Sequence, residues 1–346
     1  MIARRRLGRT EEQVSQLCIG GIPLTNVDDA TSDAIIHTAL DAGINLLEMS
    51  HAYGNGVSER KFGRVLKTRR DECLVHSRAI VRTGEEMLAS IDASLKNLQV
   101  DVIDIYGVHD INCEVGRAAG FLEEQIEALH RAKNAGKIRY LAVSGHREGD
   151  LVQALRTGAF DVVMVAVNPL DLDIAEAVLP VAQELDLGVI AMKPFAGGLF
   201  TERPDISLRY ALAQAVSTVS AGVKSVAEME EDIAVAQAYQ ALSPAELGSL
   251  LDEAAEATAA LGKHICRQCG YCLRDDGCPV DIDIPRVFYI QRAAKRYFSP
   301  GWAKEAYDEL EVLADECIEC GACEERCPYD LPIREMLVEA HALLTS

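Results

Sequence analysis

The sequence predicts an α/β chain: a parallel (β/α)8 barrel, then a small α-rich, cysteine-dense domain. Three observations carry this reading. Short apolar, β-branched runs alternate with longer segments of helical period as far as about residue 240. Eight of the eleven cysteines fall after residue 265, in two tight groups. Between the two regions, Ser243-Pro244-Ala245-Glu246 places a capping serine, a proline at the first helical position and a reciprocal glutamate, a strong start signal for a helix.

The apolar runs are Leu17–Gly21, Ile44–Glu48, Cys73–Arg78, Val102–His109, Ile138–Ser144, Val162–Asn168, Val189–Lys193 and Thr218–Gly222. Several are nearly continuous in Val, Ile and Leu, as strands covered on both faces must be. Helical segments follow each: Asp29–Ala42, Ser58–Lys67, Gly84–Leu98, Gly120–Ala135, Glu148–Thr157, Ile174–Leu185, Ile206–Ala215 and Val226–Ala238. Eight such units in about 225 residues suit a TIM barrel, typically ~250 residues long. A doubly wound open sheet is the competing architecture, but it usually carries G-x-G-x-x-G after a strand, and none does here. The organisation expected is a barrel over 1–242, a linker helix over 243–262 and a cysteine domain over 263–346.

Composition narrows the function. Lys and Arg number 34 against 54 Asp and Glu, a formal net charge of −20, which disfavours sequence-independent binding to nucleic acid or an anionic membrane. No apolar run approaches the ~18 residues of a membrane span, and no apolar stretch follows the basic start Arg4-Arg5-Arg6. A soluble, cytoplasmic protein is expected. Cys18, Cys73 and Cys113 are scattered, and the first two sit in apolar stretches as expected of buried free thiols.

The first cysteine group reads Cys266-x-x-Cys269-x-x-Cys272, then five residues and Cys278-Pro279; the second reads Cys317-x-x-Cys320-x-x-Cys323, then three residues and Cys327-Pro328. Zinc takes four ligands in two pairs, not two triplets each trailed by Cys-Pro. Three thiolates at this spacing wrap one iron–sulfur cube, while the cysteine before proline ligates the other. One [4Fe–4S] cluster is therefore assigned to Cys266, Cys269, Cys272 and Cys327, and a second to Cys317, Cys320, Cys323 and Cys278. The pattern resembles bacterial two-cluster ferredoxins, so the second domain is expected to be ferredoxin-like. The longer gap before Cys278 should bulge a loop without removing a ligand. Helical segments Arg286–Tyr297 and Trp302–Leu313 fill the space between the motifs.

Barrel chemistry gathers at the carboxyl ends of strands. Those ends supply Glu48 with Tyr53 in the following loop, then Arg78, His109, Ser144-Gly145-His146, Asn168 and Lys193. A tyrosine is a poor acid at neutral pH, but a fixed cation favours its phenolate. An acid can hold that cation, and a histidine can orient a carbonyl. Such a site protonates an oxygen as hydride arrives at carbon.

Here the chain resembles the aldo-keto reductase family. "LGRTEEQVSQLCIGG" is similar to its amino-terminal hairpin and first strand, "INLLEMSHAYGNGVSE" to its second-strand signature, and "DVIDIYGVHD" to the strand that delivers a histidine. "GKIRYLAVSGH", "FDVVMVAVNP", "GVIAMKPFAGG" and "SAGVKSVAEMEED" resemble its strands five to eight, and one subgroup carries a carboxy-terminal ferredoxin-like domain. The resemblance implies Tyr53 as general acid and His109 as orienter. Glu48 stands where the family has aspartate and Arg78 where it has lysine, keeping charge but not geometry. Met164 replaces the carboxamide-binding glutamine, and Ser144-Gly145 replaces a serine-asparagine pair. The resemblance also implies NADP or NAD as cofactor, with a lean to NADP. Gly20, Gly21, Ser144, Asn168, Lys193, Gly222, Lys224 and Ser225 are the candidate cofactor contacts.

Three functions follow. The first is NAD(P)H-linked interconversion of a small-molecule carbonyl and alcohol, with the clusters transferring electrons, serving a redox partner protein, or structural. The second is a cofactor-independent isomerase or dehydratase, or a one-electron redox enzyme, on the same barrel. The third is an electron-transfer or partner-binding subunit.

Overall fold

The computed structural model describes residues 2–111, 121–146, 148–170, 172–200, 202–260, 265–266, 270–273, 277–296 and 300–346. The chain divides into two compact units, Met1–Leu250 and Leu251–Ser346. The division falls inside α9 (Pro244–Ala260), whose start is closed by Ser243 and Glu246 as the capping sequence predicts.

In the first unit, β1 (Arg4–Arg6) and β2 (Gln13–Ser15) form an antiparallel hairpin. The next eight strands are β3 (Leu17–Gly20), β4 (Leu46–Glu48), β5 (Leu74–Ala79), β6 (Ile103–Val108), β7 (Ile138–Gly145), β8 (Val162–Ala166), β9 (Gly188–Met192) and β10 (Thr218–Gly222). They close into one parallel barrel in sequential order, with β10 returning to β3. The helices between them are α1 (Asp29–Asp41), α2 (Val57–Arg69), α3 (Gly84–Leu98), α4 (Phe121–Asn134), α5 (Glu148–Arg156), α6 (Asp173–Glu184), α7 (Pro204–Ala213) and α8 (Val226–Ala238). Every strand and helix expected from the alternation is present, with ends shifted by one or two residues. The barrel interior is filled by Cys18, Leu46, Ile105, Ala142, Val162, Met164, Ile190 and Met192, with Leu7 from the hairpin turn joining them. Leu7 sits so close to Gly188 that a Cβ there would lie 2.7 Å from its side chain. The hairpin thus closes the amino end of the barrel and leaves the carboxyl end for chemistry.

Cys18 and Cys73 are buried, and burial pushes each thiol up to about 12, so both are inert. Cys113 lies outside the described residues.

The second unit contains α10 (Ile284–Arg296), α11 (Pro300–Asp308), the short α12 (Ala322–Glu325) and α13 (Ile333–Leu344) around its own core. That core includes Cys272, Val287, Phe288, Tyr307, Cys323, Met336 and Leu337. The expected Trp302–Leu313 segment is shorter, ending at Asp308, and α13 had no expectation attached to it.

Candidate active site and cysteine clusters

The carboxyl ends of β4 and β5 bring Glu48 and Arg78 together inside the barrel, both essentially without solvent exposure. The Arg78 guanidinium donates to Glu48 Oε1 at 2.5 Å, to the Tyr53 hydroxyl at 2.6 Å and to Ser144 Oγ at 3.0 Å. Glu48 also accepts from Ser220 Oγ at 3.2 Å. One planar fork thus spans strand ends from β4, β5 and β7, a task that a point-charge ammonium cannot perform in the same way. Burial pushes the Glu48 carboxyl up from its ordinary range, with Arg78 and Ser220 pulling the other way. Burial alone would lower Arg78, but Tyr53 and Glu48 more than offset it. The cation persists, and the acid is held against it.

Tyr53 lies in the turn between β4 and α2, its ring edge-on to His109 with centroids 5.4 Å apart. His109 directly follows β6, and its Nδ1 is 2.7 Å from Ser50 Oγ. Burial, then Arg78, pushes its pKa well below the ordinary histidine value, so the ring is neutral at pH 7. The four residues put forward as catalytic therefore meet at one end of the barrel. Ser50 and Ser220 were not among the candidates. Strand alternation from Glu48 offered a signal for Ser50, whereas Ser220 is 172 residues away in sequence and no pattern points to it.

A second polar group backs the tyrosine turn. Glu59, fully buried on the first turn of α2, accepts from Ser77 Oγ at 2.7 Å and Asn97 Nδ2 at 2.9 Å, and pairs with His51 Nδ1 at 3.2 Å. Burial opposes its charge, but these bonds more than compensate and lower its pKa, while Glu59 raises that of His51.

The candidate cofactor contacts are less uniform. Gly20, Gly21 and Gly222 are packed tightly: a Cβ on each would meet Ser220 Oγ at 2.8 Å, Ser58 Oγ at 2.4 Å, or the Pro23 ring at 3.0 Å. Ser144 Oγ, besides accepting from Arg78, accepts from the Asp110 N–H. Asn168 is buried and its side chain accepts from the Leu170 N–H. Lys193 adopts φ of 54° and its Nζ is 3.5 Å from His146 Nε2. Ser225 caps α8 by accepting from the Glu228 N–H, and the Lys224 N–H donates to Glu228 Oε2.

In the second unit, Cys266, Cys272 and Cys327 line one apolar cavity with Tyr271, Phe288 and Leu331. Cys327 comes from the second motif, so this cavity draws thiols from both motifs. Cys269 lies outside the described residues. Cys323 is buried, Cys317 and Cys278 are half-buried against the same core, and Cys320 is exposed. In both motifs the residue after the second cysteine is a left-handed glycine, Gly270 at φ 74° and Gly321 at φ 78°, a turn that wraps the following thiol back. The longer gap ends at Gly277, whose carbonyl accepts from Arg326 at 2.9 Å. Cys266, Cys272 and Cys327, lining one cavity, would hold an iron–sulfur group through their thiolates.

Comparison with known proteins agrees with this architecture. A 4Fe-4S dicluster domain matches residues 265–332. L-galactose dehydrogenase of Arabidopsis thaliana is 29% identical over 300 residues, covering 70% of this chain and 90% of that protein. An aldo-keto reductase of Bacillus subtilis is 28% identical over 195 residues, 53% of this chain and 57% of its own. The solved holo structure of an aldo-keto reductase from Bacillus halodurans superposes with a TM-score of 0.65 at 25% identity, covering 73% of this chain and 96% of that one. With the aldo/keto reductase family matching residues 16–206 over this barrel and its strand-end cluster, the chain belongs to the aldo/keto reductase family and carries a 4Fe-4S dicluster domain.

Proposed function

We propose that this oxidoreductase interconverts a small-molecule carbonyl and alcohol using NADPH or NADH, with Tyr53 as the proton donor and acceptor. The observation that carries the reading is the Arg78 guanidinium, which bridges Glu48 at 2.5 Å and the Tyr53 hydroxyl at 2.6 Å. A cation fixed on the phenolic oxygen stabilises the phenolate left when the proton goes to substrate. Glu48, tied to Arg78 and Ser220, holds that cation in place. Asn168, Lys193 and Lys224, at the ends of β8, β9 and β10, would hold the dinucleotide, and Arg78 would not compete for it because its charge is already engaged. The nicotinamide supplies the hydride.

The eight motif cysteines bind two [4Fe–4S] clusters, with Cys266, Cys269, Cys272 and Cys327 on one and Cys317, Cys320, Cys323 and Cys278 on the other. What supports this division is the single cavity that Cys327 shares with Cys266 and Cys272. The clusters serve electron transfer within the chain or to a redox partner protein.

Anaerobic titration of the cluster-loaded protein with NADPH and with NADH tests the reading, following nicotinamide fluorescence and cluster absorbance together. Binding of nicotinamide is expected; bleaching of the clusters on binding would show them wired to it through a two-to-one-electron mediator, and binding without bleaching would leave the clusters structural or partner-facing. No binding of either nucleotide would overturn nicotinamide chemistry and favour a cofactor-independent reaction on the same residues. Tyr53→Phe should retain nucleotide binding and lose turnover by ~10²–10⁴-fold, the usual contribution of a positioned proton donor.

A further inference from the structure

The turn that carries Tyr53 is costly to order. Gly54, Asn55 and Gly56 are three successive left-handed residues, with φ of 60°, 49° and 80°, and two of them are glycines that lose much freedom on folding. Backbone bonds fix its ends: the His51 N–H donates to the Arg78 carbonyl at 2.9 Å, and the Ser58 N–H to the Tyr53 carbonyl at 3.2 Å. A side-chain bond closes it from end to end, between His51 Nδ1 and Glu59 Oε2 at 3.2 Å. The other partners of Glu59 are donors, Ser77 Oγ at 2.7 Å and Asn97 Nδ2 at 2.9 Å. Burial opposes the charge of Glu59, but its hydrogen bonds outweigh burial and keep it ionised. A carboxylate only accepts, so His51 Nδ1 supplies the proton. The imidazole is 27% exposed and lines a groove with Ile80, Arg82 and Glu86, so it exchanges protons with solvent.

We propose that His51 and Glu59 are positioning residues for Tyr53: they form a proton-dependent clasp that closes the turn most tightly while His51 is an imidazolium, fixing the phenol against Arg78. Neutral His51 still donates through Nδ1, but a bond between two charged partners is the stronger one. The groups around the ring set where it titrates. The hydrogen bond to Glu59 of α2 favours the imidazolium, partial burial opposes it, and the charge of Glu59 outweighs that of Arg60. Arg82 from the loop after β5 and Glu86 from α3 line the same groove with opposite charges, and Asn97 of α3 is uncharged. The pKa of His51 is thereby raised above its ordinary value. The cationic clasp is complete below pH ~6.5 and is lost as pH rises through the raised value. The consequence for turnover rests on the hydride-transfer reading of Tyr53; the clasp itself does not.

Amide hydrogen exchange of the cluster-loaded full chain measures the turn without nucleotide or substrate. Mass spectrometry follows peptides covering residues 50–58 at about pH 6 and about pH 8.5, corrected for the intrinsic exchange rate. The wild-type turn should be about fivefold less protected at the higher pH, roughly the difference between a doubly charged and a singly charged hydrogen bond. His51→Gln keeps an uncharged donor and should show the lower protection at both values. A wild-type turn whose protection ignores pH, or an equal fall in His51→Gln, would overturn the clasp. Glu59→Gln should match His51→Gln; if it fails to fold, the His51 comparison still decides. For the link to Tyr53, NADPH-linked reduction of propionaldehyde is followed at both values. At the lower pH, His51→Gln should reduce kcat about fivefold and leave NADPH affinity unchanged, and at the higher pH it should match the wild type. Equal kcat at the lower pH, or a loss confined to NADPH affinity, would overturn the positioning role. Absence of turnover in the wild type would count against the hydride-transfer reading, and hydrogen exchange would still decide the clasp.

Discussion

Arg78 is the residue on which the barrel's buried polar network turns, because its side chain holds Glu48, Tyr53 and Ser144 at once. Removing one partner of a buried pair leaves an uncompensated charge, which typically costs ~3–5 kcal/mol. Arg78→Met should therefore destabilise the barrel by about that amount in urea unfolding, and Arg78→Met with Glu48→Gln together should recover part of it. If the double variant is no more stable than the single one, the two residues are not coupled as described. The exchange of lysine for arginine relative to the family resemblance has a local reason in this network. The fork reaches an acid at the end of β4, a phenol in the turn after it and a serine at the end of β7.

The elements that place these residues depend on close approach where strand and helix meet. Gly21, immediately after β3, donates its N–H to the Glu48 carbonyl at 2.8 Å, and a Cβ there would lie 2.4 Å from Ser58 Oγ and 2.7 Å from Phe62. Gly21→Ala should push α2 outward, displacing the Tyr53 turn at its start. We expect a loss of ~1–3 kcal/mol, as overpacking generally costs, with a larger fall in turnover than a surface change of the same stability. An unchanged melting temperature would show that α2 yields more easily than this packing implies. The glycine is thus accounted for by packing between elements, a role that sequence position alone does not distinguish from contact with a phosphate.

On the scale of the whole molecule, His76 adds a pH dependence to folding. It is fully buried on β5, neither ring nitrogen has a hydrogen-bond partner among the described residues, and burial, then Arg78, pushes its pKa well below the ordinary value. The unfolded chain then takes up the proton first, near pH ~6.5, so stability holds above that value and falls as pH drops below it. The slope is up to ~1.4 kcal/mol per pH unit for one such group, and His109 adds in the same direction. Denaturation at pH 7.5 and 5.5 should show that loss in the wild type and a smaller one in His76→Leu. Identical losses would mean that His76 does not stay neutral. The two units also predict two transitions in calorimetry. Stripping the clusters by oxidation and chelation should lower the transition of Leu251–Ser346 and leave that of the barrel in place, since bound metal stabilises only the unit that holds it. A single transition unaffected by cluster removal would argue that the thiols carry no structural metal. Among the described residues no helix is long and apolar enough to cross a membrane.

Much of this was legible in the chain itself. Strand and helix periods are local, so eight alternating runs announce the barrel, and the strand-end rule picks out Glu48, Tyr53, Arg78 and His109 before any coordinates are known. The paired cysteine motifs likewise announce the 4Fe-4S dicluster domain. Tertiary structure decided what local pattern cannot carry. Ser220 meets Glu48 across 172 residues, Ser50 meets His109 Nδ1 across 59, and Cys327 joins the cavity of Cys266 and Cys272. Hydrogen-bond direction and partner choice depend on which strand ends the closed barrel brings together, a long-range property of the fold that no window of neighbouring residues contains.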